Sequence, residues 1–84
     1  MEASGIIKKT NVHGYTVLYD PKFDKGIYYL QYDLQYNEAL VFFKHAQMYG
    51  KAEFEDDQDR NWTLIKNPDG TFTLTQRKEY SGWF

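Results

Sequence analysis

Hydrophobic and polar positions alternate most clearly near the C-terminus. In Asn61-Trp62-Thr63-Leu64-Ile65-Lys66 and Thr71-Phe72-Thr73-Leu74-Thr75-Gln76, the residues Trp62, Leu64, Phe72 and Leu74 share one face. Thr63, Thr73 and Thr75 take the other, which is the period of a half-buried strand. The intervening Asn67-Pro68-Asp69-Gly70 is a turn: Pro68 presets φ and Gly70 accepts positive φ. The pattern predicts a β-hairpin with one apolar face. A weaker echo predicts a second hairpin, with strands at residues 6–10 and 15–20 around Asn11-Val12-His13-Gly14. The stretch Asp20-Pro21-Lys22-Phe23-Asp24-Lys25-Gly26 breaks the chain. Residues 27–34 then read as a strand, with Tyr28, Leu30, Tyr32 and Leu34 on one face and Ile27, Tyr29, Gln31 and Asp33 on the other.

The period changes after Asn37. Ala39, Phe42, Phe43, Ala46 and Tyr49 fall on one helical stripe. Asn37 suits an N-cap, Glu38 the first turn and Gly50 the C′ position. A helix is predicted over residues 38–49. The run Leu40-Val41-Phe42-Phe43 also fits a buried strand, but the caps and the Ala39/Ala46 spacing favour the helix. Ala52 and Phe54 alternate with charges, giving a short strand over residues 51–55.

These elements run β-β-β-α-β-β-β. One helix cannot form a core alone and must cover a sheet. The predicted fold is α+β, a single helix packed on a curved antiparallel β-sheet. Trp62, Leu64, Phe72, Leu74, Leu30, Tyr32, Phe42, Phe43 and Phe54 are its expected core. No long linker divides the chain, so residues 1–84 read as one domain with 1–5 and 78–84 as tails.

Composition narrows the chemistry. The 84 residues include no cysteine, 19% are aromatic, and the net charge is −2. Without cysteine there is no disulfide, thiolate catalysis or cysteine-ligated metal. The longest apolar run, residues 39–43, is far short of the roughly 20 residues that span a bilayer. The expectation is a soluble, cytoplasmic protein with no membrane partner.

Catalytic machinery is not visible. Asp57-x-Asp59-x-Asn61 opens like a calcium-binding loop, but Trp62 stands where glycine is needed and Pro68 where glutamate is needed. A looser cation site from Glu55, Asp57 and Asp59 competes with a plain solvated turn, the commoner origin of such a charge run. His13 and His45 share no ligand spacing, the only serines are Ser4 and Ser81, and no glycine-rich phosphate loop is present. The expectation is no enzyme, no cofactor and no metal.

What remains is a surplus of aromatic residues. Tyr15, Tyr19, Tyr29, Tyr36, Trp83 and Phe84 exceed what one small core can absorb. With the acidic turn Glu55, Asp56, Asp57 and Asp59, they are the candidate contacts of a small protein-binding module. A nucleic-acid-binding face of Tyr15, Tyr19 and Tyr29 with Lys8, Lys9, Lys22 and Lys25 is the first alternative. An acidic nucleic-acid mimic is the second, in which Glu53 joins the acidic turn in imitating phosphates. The terminal Trp83-Phe84 pair would dock on the protein itself, on a partner, or on a second copy to form a homodimer.

Overall fold

The first hairpin joins β1 (Lys8–Val12) to β2 (Tyr15–Tyr19) through His13 and Gly14 alone. Both connecting residues have positive φ, 54° and 92°, the two-residue turn whose twist matches antiparallel strands. The Asn11 Oδ1 accepts the Gly14 N–H at 2.9 Å and fixes the turn. The computed structural model describes residues 6–77.

After β2 the chain turns helical, where a third strand is predicted from sequence. Pro21–Phe23 forms a 3₁₀ turn, and Asp20 accepts the Lys22 N–H at 3.0 Å to start it. Helix α1 (Asp24–Tyr28) follows and continues as a π-helical turn over Tyr29–Asp33. The Leu34 N–H reaches back five residues to the Tyr29 carbonyl at 3.0 Å. The strand expected at residues 27–34 is therefore corrected to helix. Its apolar residues fit both periods, but Ile27 and Leu30 are buried while Tyr28 and Tyr32 are exposed, so the three-residue spacing prevails.

Helix α2 (Tyr36–Tyr49) carries the predicted stripe, with Ala39, Phe43 and Ala46 buried. It begins earlier than expected, because Gln35 rather than Asn37 occupies the N-cap. The Glu38 carboxylate accepts the Gln35 N–H at 3.0 Å, one half of a capping box. Gly50, at φ 94°, ends the helix with its N–H on the Ala46 carbonyl.

The chain closes in a meander of β3 (Lys51–Glu55), β4 (Asn61–Lys66) and β5 (Phe72–Arg77). The predicted last hairpin is present, with Asn67 tying its turn to Thr71 and Thr73. The sheet order is β1-β2-β5-β4-β3, and β5 lies parallel to β2. The architecture is α+β as predicted, but the sheet is mixed rather than antiparallel, and two helical segments cover it rather than one. The physical reason is the crossover: a parallel neighbour of β2 requires a long connection, and the helical segments between β2 and β3 supply it. Turn signals report only on neighbours in sequence, so they do not reveal the β2–β5 pairing.

The core lies between the sheet and the helices. Helix α2 covers β3 and β4, while α1 covers β5. Trp62, Phe43, Phe72, Leu30, Leu64, Leu74, Val12 and Val17 are its largest fully buried side chains. Of the core residues expected from sequence, Phe42 is partly buried against the cluster and Tyr32 is not in it. Among the described residues, no helix is long and apolar enough to cross a membrane.

Candidate functional site

The surplus tyrosines divide by position. Tyr15 is packed: its ring stacks on Phe43 at 4.4 Å and meets Phe72 edge-on at 5.5 Å. Tyr29 leaves the π-helical turn toward β3 and stacks on Phe54 at 6.0 Å. Burial pushes the Tyr29 phenol up, and the charges of Asp57, Asp56, Glu38 and Asp33 push it further. Tyr29 thus feels the charge of part of the acidic turn, together with that of Asp33 and Glu38. Tyr36 is exposed, and the His13 ring meets it edge-on at 5.2 Å. The other side of His13 is engaged as well, its Nε2 lying 3.0 Å from the Leu30 carbonyl oxygen. Trp83 and Phe84 lie outside the described residues.

The acidic turn is not the uniformly solvated run expected from its charges. Glu55, Asp57 and Asp59 are exposed, but Asp56 is buried. Its Oδ1 accepts the backbone N–H groups of Gln58 and Arg60, each at 2.9 Å. Its Oδ2 accepts Arg60 Nε at 2.7 Å and Trp62 Nε1 at 3.0 Å. Burial alone pushes the Asp56 carboxyl up, yet these four donors outweigh it and hold the pKa at about 2. Asp56 therefore organises the β3–β4 loop and clamps the core tryptophan. Among the described residues, no group of three His, Cys, Asp or Glu side chains is placed to hold a metal ion.

Sequence reasoning missed Tyr28 and Tyr32 as surface residues. The two rings sit one helical turn apart along α1 and the π-helical turn, with centroids 5.5 Å apart. They are 57% and 67% exposed. Together with Thr10, Tyr19, Asp24 and Gln31 they line a cleft of about 220 Å³. Tyr19, one of the predicted contacts, is half-buried in its wall. The helical spacing of Ile27, Leu30 and Leu34 is the signal that would have turned Tyr28 and Tyr32 outward.

A second hollow, of about 280 Å³, is also bordered by Tyr19. It is lined by Ile7, Leu18, Phe23 and Thr73 among others, and is mainly apolar. The cleft is the richer in polar groups and exposed rings. No family model, curated protein or solved structure matches the chain.

Proposed function

We propose that the protein is a small non-enzymatic protein-binding module whose contact surface is the helical connection bearing Tyr28 and Tyr32. The observation that carries this reading is the exposure of two adjacent tyrosine rings beside a cleft. Tyrosines on a packed helical element give large contact area with few torsions to immobilise, which is why they dominate interface hot spots. The π-helical turn beneath them is an irregularity often found at functional sites. The negative charges of Asp57, Glu38 and Asp33 felt at Tyr29, next in sequence to Tyr28, favour a partner with basic groups.

The nucleic-acid reading has less support. Tyr15 and Tyr19 lie on the helix-covered side of the sheet, and one face of Tyr15 is occupied by Phe43. The mimic reading loses Asp56, whose charge is spent within the fold on Arg60.

Photo-crosslinking in cells tests the proposal. The probe is p-benzoylphenylalanine, placed at position 32 or, as a control, at position 65. Ile65 alternates with the buried Leu64 and so belongs to the opposite sheet face. A discrete adduct from position 32 and none from position 65 supports the reading. Equal adducts from both positions, or none from position 32, overturn it.

A further inference from the structure

The cleft beside Tyr28 and Tyr32 has the chemistry of a cation receptor. Its volume, about 220 Å³, is below the roughly 300–1,000 Å³ of small-molecule pockets and suits one inserted side chain. Three tyrosine rings contribute to its walls, and aromatic faces carry negative potential. Asp24 supplies a carboxylate that makes no side-chain hydrogen bond or ion pair among the described residues. No lysine or arginine lines the cleft. Lys25 is next in sequence to Asp24, and Lys8 pairs with Tyr19 across the hairpin. Among the described residues neither lysine forms an ion pair with Asp24, so the carboxylate is available to a ligand.

We propose that this cleft receives an arginine side chain of the protein partner, its guanidinium lying against the tyrosine rings and its fork paired with Asp24. This rests on the binding surface proposed above and specifies what that surface recognises. Arginine fits better than lysine for two reasons. Its planar guanidinium stacks on aromatic faces as well as attracting them, and its fixed donor fork matches a carboxylate. It is also the cation enriched in protein interfaces, whereas lysine is depleted there.

Ring-proton NMR of the full chain tests the proposal with three small probes of equal chain length: n-butylguanidinium, n-butylammonium and 1-butanol. The expected result is saturable shifts of the Tyr28 and Tyr32 ring signals with n-butylguanidinium. Weaker shifts are expected with n-butylammonium, and none with 1-butanol. Asp24→Asn is expected to weaken n-butylguanidinium binding by about two- to fivefold, the range for exposed ion pairs and cation–π contacts. Asp24 and Tyr32 are exposed, so Asp24→Asn and Tyr32→Ala should retain the wild-type amide spectrum outside the cleft.

Equal shifts from 1-butanol would overturn the cation assignment while leaving a binding surface at these rings. The same holds for unchanged affinity in Asp24→Asn. An n-butylammonium affinity equal to that of n-butylguanidinium overturns the choice of arginine. No probe response in a chain that still crosslinks from position 32 refutes this inference alone. Loss of the position-32 crosslink, with the probe response intact, counts instead against the protein-binding reading.

Discussion

Gly26 rests on the indole of Trp62: a β-carbon at position 26 would stand 2.8 Å from the ring carbon Cε3 and 2.7 Å from Leu74 Cδ2. The contact brings α1 onto the sheet and sets the height of the helical connection that displays Tyr28 and Tyr32. Trp62 is fixed in turn by its hydrogen bond to Asp56, so the acidic turn and the tyrosine cleft are linked through one side chain.

Gly26→Ala should be destabilising, since the obstructing atoms belong to buried side chains in a packed core. Overpacking of this kind costs about 1–3 kcal/mol and should lower Tm by roughly 5–20 °C in a domain of this size. Thermal unfolding followed by circular dichroism reads the effect. A wild-type Tm would show that α1 does not sit on Trp62 as described.

Acid should weaken the fold through Asp56. Its carboxyl pKa falls from the ordinary 3.8 to about 2 on folding. A depressed carboxyl stabilises the fold above its unfolded pKa, and the contribution disappears as pH falls through the folded value. The contribution is about 2 kcal/mol, complete above roughly pH 4.5 and lost toward pH 2. Urea unfolding monitored by circular dichroism across this range should show the decline. Asp56→Asn should be less stable at neutral pH and lack this part of the acid dependence. An identical pH profile for the variant would contradict the assignment.

Phe43→Ala should cost about 3–5 kcal/mol. Phe43 is fully buried, stacks on Tyr15 and meets Phe72 edge-on at 5.1 Å. Chemical denaturation measures the loss. Tyr32→Ala should by contrast stay within about 0.5 kcal/mol of wild type, because its ring is mostly exposed. A large loss at position 32 would place that ring in the core, where the alternating reading of residues 27–34 puts it.

The elements legible in the sequence were those with an unambiguous period and strong caps. Strand β4 and strand β3 match their predicted spans, and Gly50 ends α2 as its position implies. The failure lay at residues 27–34. There Ile27, Tyr28, Tyr29, Leu30 and Tyr32 are so uniformly apolar that alternation and helical spacing fit equally well. The structure decides through a long-range fact, the parallel pairing of Val17 with Phe72, which demands a crossover. The site was obscured by the same ambiguity. The surplus of aromatics is plain in the composition, but its members depend on which way each ring of the connection points. Asp56 was hidden differently: nothing in Glu55-Asp56-Asp57-Gln58-Asp59 distinguishes the one carboxylate that turns inward onto Trp62.

Affinity capture with the Tyr28→Ala/Tyr32→Ala double variant tests the central claim most directly, that exposed rings of the helical connection bind a protein partner. Wild type, the double variant and an Ile65→Ala control, each verified as folded, are compared for what they retain from the same lysate by quantitative mass spectrometry. The account predicts a protein retained by wild type and Ile65→Ala and lost by the double variant. Retention of the same proteins by all three would contradict it.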